Sequence, residues 1–355
     1  AATRVRPTPA PMVTPLSDEA RKRIEARIPH CLGSTDLKVG KKIVGKVRDT
    51  YLLEDKVVLV TTDRQSAFDR QLALVPYKGQ VLNKTAAWWF DKTKHIIPNH
   101  VLGVPHPNVT VGTRVTIFPV EVVVRGYMTG STGTSVWTHY SKGAREYCGV
   151  SLPDGMVKSQ RFETPILTPT TKADDHDAPI SPAEIVAQGL MTEEEWDYVG
   201  KKALELFQFG QEVALKHGML LVDTKYEFGR TKDGTIVIAD EMHTPDSSRY
   251  WIASSYEERM AKGMEPENID KEFLRLWFKE RCDPYTADPL PEAPPELVTE
   301  LASRYVQLYE AITGEKFDFD ESDPTALTAE ALGLDEGGKQ APWAVRAAEA
   351  TLQQG

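Results

Sequence analysis

The segment VDTKYEFG (Val222 to Gly229), followed five residues later by TIVIADE (Thr235 to Glu241), constrains this chain more than any other part of it. Side chains alternate between the two faces of a strand, so Asp223, Lys225 and Glu227 share one face. Asp233-Gly234 stands in the connection, the chemistry that reverses a strand. A near-symmetric hairpin register puts Asp240 within cross-strand reach of Lys225 or Glu227. A lysine among carboxylates on a largely buried sheet is costly unless something uses it. Hard oxygen ligands in this arrangement suit Mg²⁺ bound together with substrate phosphates. An exposed, salt-bridged hairpin is the competing reading of the same residues.

Composition narrows the class. A chain of 355 residues can bury a large core in two lobes, and 41% hydrophobic with 26% charged residues fits a soluble globular protein. The formal charge of −10 argues against a nucleic-acid partner while leaving room for local basic pockets that take small anions. Cys31, Cys148 and Cys282 are far apart and odd in number, which excludes a disulfide framework and zinc-type spacing and points to a reducing compartment. No apolar run approaches the roughly 20 residues of a membrane span, so no membrane partner is expected. Residues 1–16 carry Arg4, Arg6, prolines and threonines, with no acid before Asp18. Both the tail of an organelle transit peptide and an unstructured leader fit that composition.

Patterning along the chain predicts an α+β fold. Ser17 to Ile28 reads as a short capped helix, and KIVGKVRDTYLLEDKVVLVTTD as antiparallel β with a turn at Glu54-Asp55. Trp88 to Lys94 belongs to a helix. Arg114 to Arg125 is a β run broken by Pro119, which suits a strand end or a link between lobes. Gly126 to Pro182 is rich in loops, as binding segments are. Thr192 with Glu195 forms a capping box opening a helical stretch that Gly218 ends. Asp270 to Lys279 and Glu296 to Thr313 read as further helices. The tail from Asp320 is acidic, then Ala-rich, and is expected to be partly disordered. The expected domains are a leader with its helix (1–35), a β-rich lobe (36–122), an α/β lobe (123–284) and a helical extension with its tail (285–355).

Four further motifs carry charge where chemistry could use it. Gly40 to Val47 falls one residue short of a P-loop, with Val47 where a hydroxyl should hold Mg²⁺, and its flanks read as strand–turn–strand. A hairpin whose glycine lets backbone amides approach a phosphate fits better, with Lys46 and Arg48 supplying charge, and an ordinary basic hairpin is the alternative. TTDRQSAFD, containing Ser66 and Asp69, follows an apolar strand, where site residues often sit, or else forms a capped turn opening a helix. VVVRGYMTGS offers Arg125 and Ser131, and TPDSSR offers Asp246, Ser248 and Arg249. Two Arg-plus-Ser sites on an acidic chain suggest one small phosphorylated ligand. PTTKADDHDAPIS lacks the spacing of calcium or zinc sites and reads as a substrate-contacting loop or a plain acidic turn.

The blocks GKVRD, TDRQSAFD, VVVRGYMTGS, LTPTTKADDHD, LLVDTKYEFG and DEMHTPDSSRYW, in this order, resemble the SAICAR synthetase family, most closely its plant and algal branch. The resemblance implies a two-lobed fold. A small antiparallel β lobe, similar to the nucleotide lobe of protein kinases, packs on a larger α/β lobe followed by C-terminal helices. ATP would lie between them, with adenine held near Pro119 to Val122 and Glu121. The implied reaction joins the carboxylate of carboxyaminoimidazole ribonucleotide (CAIR) to the amine of L-aspartate, with ATP becoming ADP and phosphate through an acyl phosphate. By the same resemblance Gly45, Lys46, Val47 and Arg48 approach the ATP phosphates, Glu227 and Asp240 hold Mg²⁺, and Lys225 with Asp223 serves the reacting centre. Arg125, Ser131, Ser248 and Arg249 would hold the CAIR phosphate. Ser66, Asp69, Lys172, Asp177 and Asp246 would line the CAIR and aspartate side. The plant-like character implies plastids, with the cytoplasm as alternative, and an oligomer is compatible with the sequence. A kinase on a related scaffold is the rival reading, weakened by the missing His-Arg-Asp catalytic loop.

Overall fold

A computed structural model describes residues 14–68, 70–172, 177–269 and 271–334. The leader through residue 13, Asp69, the run 173–176, Asp270 and the last 21 positions lie outside the described residues. Ser17 caps helix α1 (Asp18–Arg27), its hydroxyl accepting the Ala20 N–H at 3.2 Å. Strands β1 (Lys41–Val44), β2 (Arg48–Leu52) and β3 (Lys56–Thr61) follow as a meander, with Glu54 and Asp55 in the second turn as expected. TTDRQSAFD does not open a helix; it enters a hairpin of β4 (Arg64–Ala67) and β5 (Arg70–Leu74).

Helix α2 (Lys78–Lys92) starts ten residues before the stretch expected from the pattern. Its start carries no local cap signal, because Tyr77 sits in the left-handed region (φ 58°) without a side-chain cap. Asp63, in the turn between β3 and β4, instead accepts the Gly79 N–H at 2.9 Å. A Cβ on Gly79 would stand 2.2 Å from the Thr61 carbonyl, so only glycine permits this close approach. Strands β6 (Val101–His106) and β7 (Val109–Thr113) complete a five-stranded antiparallel sheet in the order β1-β2-β3-β7-β6.

Strand β8 (Thr116–Tyr127) begins the second sheet. A compact insertion follows, with α3 (Val136–Tyr140), β9 (Glu146–Tyr147) and β10 (Val150–Ser151) around Met128, Val136, Tyr140 and Phe162. Then come β11 (Arg161–Leu167), β12 (Thr170–Thr171), α4 (Pro182–Ala187) and the long α5 (Glu193–Lys216). The Thr192–Glu195 capping box is present as read from the sequence. Strands β13 (Met219–Arg230), β14 (Ile236–Ala239) and β15 (Ser248–Ile252) close a six-stranded antiparallel sheet in which β13 pairs with β8, β14 and β15. Helices α6 (Ala253–Ala261), α7 (Glu272–Lys279) and α8 (Pro295–Thr313) finish the regular structure.

Alternation along β8 and β13 divides the second sheet into two unlike faces. Val120, Val122 and Val124 with Tyr226 and Phe228 enter the main core, where Val199, Ala203, Leu206 and Phe207 of α5 cover them. The opposite face pairs Asp223 with Arg125, Lys225 with Val123 and Glu227 with Glu121. The shared face read from VDTKYEFG is therefore real, and it is the face that α5 does not cover.

Three expectations change. Pro119 does not end a strand: β8 runs through it, and the proline occupies a register shift between the Glu227–Glu121 and Gly229–Ile117 pairs. A domain boundary between residues 122 and 123 consequently falls inside one strand, because the apolar run around it keeps pairing with β13. The tail is ordered further than its acidity implied. Gln80 donates to the Asp320 carbonyl at 2.8 Å, and Leu327, Leu332 and Leu334 pack beneath the five-stranded sheet against Leu37, Tyr51 and Val58. Leu332 is fully buried, so Leu332→Ala is expected to cost about 2–5 kcal/mol. Urea unfolding checks this, and an unchanged midpoint would remove the tail from the core.

Candidate active site

The uncovered face of β13 runs between two cavities. One, of about 530 Å³, opens between the two sheets and is lined by Ile43, Leu52, Val57 and Leu59 from the first and by Glu227, Ala239 and Asp240 from the second. Its apolar floor and charged rim suit a ligand with a flat apolar end and an anionic end. The other, of about 150 Å³, is lined by Arg125, Asp223, Lys225, Asp246, Ser248 and Arg249, joined by Lys271 just before α7 and Arg275 within it. Five of those side chains are cationic and converge on a small volume, the setting of an anion site.

Lys225 separates the two cavities. Its ammonium donates to Glu121 at 2.6 Å and to Glu227 at 2.9 Å. Burial opposes its charge, but Glu227, Glu121 and Asp240 outweigh burial and hold its pKa well above the usual lysine range. Burial likewise pushes Glu227 up, and the Lys225 and Lys172 ammonium groups overcome it, bringing that carboxyl down to about 2. Glu121 also accepts from the Thr170 hydroxyl at 3.2 Å.

Asp240 follows β14 directly, in the left-handed region at φ 62°, a conformation rare for a residue with a side chain. Arg48 of β2 reaches across to it at 3.2 Å and to Glu241 at 3.1 Å. Burial raises the Asp240 pKa; Arg48 opposes that, while Glu227 and Glu241 add to it. The Glu227, Asp240 and Glu241 carboxylates thus crowd one another. Among the described residues no three His, Cys, Asp or Glu side chains form a metal cage. Mg²⁺ takes only one or two carboxylates and draws its other ligands from phosphates and water. Glu227 and Asp240 meet that requirement, and their mutual repulsion is what a dication would relieve.

The β1–β2 turn is built around Arg64. Its guanidinium donates to the carbonyls of Gly33 and Gly45 at 2.8 and 3.0 Å and pairs with buried Asp49 at 2.8 Å. Gly45 N–H bonds the Arg48 carbonyl at 2.8 Å, and a Cβ at Gly45 would lie 3.0 Å from that oxygen. Lys46 is exposed at the turn, while Val47 packs against the helical core.

In the smaller cavity Asp223 sits between two arginines. Arg249 ion-pairs with it, and Arg125 lies 3.4 Å away while also donating to Thr168 Oγ1 at 2.7 Å. Asp223 therefore orients both arginines toward the smaller cavity they line. Ser248 shares a hydrogen bond with Thr224 at 2.7 Å. Asp246 is buried against Lys78 at 2.7 Å and the Tyr305 hydroxyl at 2.6 Å, with Lys271 3.9 Å away. Lys271 is pushed down to about 8, by burial first, with Asp246 opposing and Arg275 and Lys78 adding to the fall.

Other expected residues fall elsewhere. Lys172 lines the larger cavity and ion-pairs with Glu227, so it lies on that side of the groove and away from the smaller cavity. The Ser131 hydroxyl donates to Glu272 at 2.8 Å, leaving its neighbour Thr132 to line the smaller cavity. Ser66 on β4 and exposed Asp177 line neither cavity, and Asp69 lies outside the described residues. Sequence reasoning missed Lys271, Arg275, Glu241 and Lys78. KEFLRLWFK alternates charge with bulk and gives no direction for its basic face.

The geometry agrees with what the chain resembles. The profile of the SAICAR synthetase family matches residues 41–291. The chain is 63% identical over 295 residues to a phosphoribosylaminoimidazole-succinocarboxamide synthase of Legionella pneumophila, covering 83% of this chain and 95% of that protein. It is 60% identical over 300 residues to the chloroplastic synthase of Arabidopsis thaliana, covering 83% and 73%. The SAICAR-synthase of Saccharomyces cerevisiae complexed with SAICAR superposes with a TM-score of 0.70 at 31% identity, over 81% of this chain and 99% of that one. The chain belongs to the SAICAR synthetase family. It catalyses the ATP-dependent ligation of CAIR and aspartate in purine biosynthesis. In this SAICAR synthetase the Lys271 shift sets a pH dependence. The ammonium loses its proton as pH rises through about 8, so anion affinity should be flat below pH 7 and fall several-fold by pH 9. Titration of the product SAICAR tests this. Lys271→Arg should abolish the fall, and an unchanged profile in that variant would assign the titration to another group.

Proposed function

We propose that the larger cavity takes Mg-ATP, that the smaller takes the ribose phosphate of CAIR, and that the reacting groups meet at Lys225. The carrying observation is the Lys225 ammonium, bound to Glu121 and Glu227 while lining the smaller cavity. A free carboxylate is a poor acyl donor because its leaving group is oxide. A CAIR carboxylate oxygen therefore attacks the terminal phosphorus of ATP, ADP leaves, and an acyl phosphate forms. The aspartate amine then adds to the acyl carbon, phosphate departs, and the amine loses its proton. Protein groups position these partners and neutralise their charge.

Arg48, with the backbone of Gly45 and Lys46, faces the ATP phosphates. Lys225 stabilises the charge that develops on the transferring phosphoryl group. Glu227 and Asp240 would hold Mg²⁺, which when bound would supply charge neutralisation for the nucleotide phosphates. Arg125, Arg249, Ser248 and Lys271 hold the CAIR phosphate, with Asp223 fixing the two arginines. The chloroplastic relatives of Arabidopsis thaliana and Vigna aconitifolia, at 60% and 59% identity, support a plant-like branch and a plastid location. The Legionella relative, at 63%, keeps the cytoplasm as the alternative. Imaging the tagged protein in cells decides between them.

Glu227→Gln keeps the side chain's shape but removes its charge. Turnover at saturating Mg²⁺ should fall on the order of 1,000-fold with the fold intact, and a wild-type rate would reject the metal assignment. Arg249→Ala removes a charged hydrogen bond and should raise the KM for CAIR roughly 10- to 100-fold, leaving the KM for ATP unchanged. A change confined to ATP would exchange the two cavities.

A further inference from the structure

Both oxygens of the Glu227 carboxylate are already held by lysines, and the two lysines are not equivalent. Lys225 donates to Oε1 at 2.9 Å, projects from the middle of β13, and is fixed by Glu121 at 2.6 Å. Lys172 takes Oε2 and follows the short strand β12, with its side chain 42% exposed. Its backbone is anchored, because its N–H bonds the Pro119 carbonyl at 3.1 Å, so only the side chain has freedom to move. Asp240 stands beside Ala239, whose strand partner is Glu227, and Lys172 lines the same cavity as both acids.

We propose that Lys172 is an exchangeable counter-cation. It neutralises Glu227 Oε2 in the empty cleft and gives that oxygen up when Mg²⁺ arrives with the nucleotide. The inference rests on the reading of Glu227 and Asp240 as metal ligands and adds a competitor to it. Two cations cannot share one carboxylate oxygen without repulsion, and of the two lysines only Lys172 lies on an exposed segment with a single carboxylate partner among the described residues. Lys225 alone would have to serve both Glu121 and Glu227, one ammonium against two buried carboxylates, and Lys172 supplies the second positive charge in the empty protein. The arrangement makes metal binding an exchange of charge in place of an addition. It also frees an ammonium at the cleft as the nucleotide enters.

Isothermal titration of ADP at saturating Mg²⁺ tests this without turnover. Lys172→Met removes the competitor, so Mg-ADP should bind at least threefold more tightly, while Lys172→Arg restores wild-type affinity. Nζ NMR of wild type should show the Lys172 signal, assigned by its absence in the variants, losing its slow proton exchange when Mg-ADP is added. Unchanged or weaker Mg-ADP binding in Lys172→Met overturns the proposal, the weaker case meaning that Lys172 grips the nucleotide directly. Glu227→Gln separates the two claims. If Mg²⁺ still strengthens ADP binding in that variant, the metal reading has failed; if that dependence disappears while Lys172→Met has no effect, only the exchange has failed.

Discussion

Glu121 and Glu227 face each other directly across β8 and β13, and one ammonium reconciles them. Like charges opposite one another on a sheet repel, and burial strengthens the repulsion. Lys225 offsets both. Losing it would leave Glu121 with the Thr170 hydroxyl and Glu227 with Lys172 alone, and breaking comparable buried pairs costs several kcal/mol. The same ammonium lines the cavity that gathers Arg125, Arg249 and Lys271. The groove is thus organised by a charge that the fold needs whether or not substrate is present, so its position is set before any ligand arrives.

The rest of the architecture holds that strand face still. Helix α5 buries the reverse of the ribbon under Leu206 and Phe207. Arg64 ties the β1–β2 turn to Asp49 and to two carbonyls. Asp246 gathers Lys78 of α2, Lys271 just before α7 and Tyr305 of α8 beside the smaller cavity. Catalysis by positioning needs this kind of support, because displacements near 1 Å cost orders of magnitude in rate.

Local patterns carried a good part of this. The alternation in VDTKYEFG identified the working face of β13, and the Asp233-Gly234 turn brought Asp240 to it, because both depend only on residues close in sequence. The Thr192–Glu195 capping box and Ser17 cap were legible for the same reason. Long-range pairing was not. Glu121 lies 104 positions from Lys225, and nothing in VEVVVR says which strand it will oppose. The start of α2 escaped notice because its acceptor is Asp63, in the turn between β3 and β4. The acidic residues around Asp320 hid a tail whose leucines at 327, 332 and 334 find an apolar surface only once the five-stranded sheet exists. The six ordered blocks named the family, while the placement of Lys172 beside Glu227 required coordinates.

The two cavities are halves of one reaction groove only if Lys225 touches both ligands. A crystal structure with Mg-ADP and CAIR bound together measures this directly. The account predicts the nucleotide's terminal phosphate beside Glu227 and Asp240, the ribose phosphate at Arg249 and Lys271, and the Lys225 ammonium in contact with both molecules. A nucleotide phosphate seated on Arg125 and Arg249, or a Lys225 in contact with neither ligand, would contradict it.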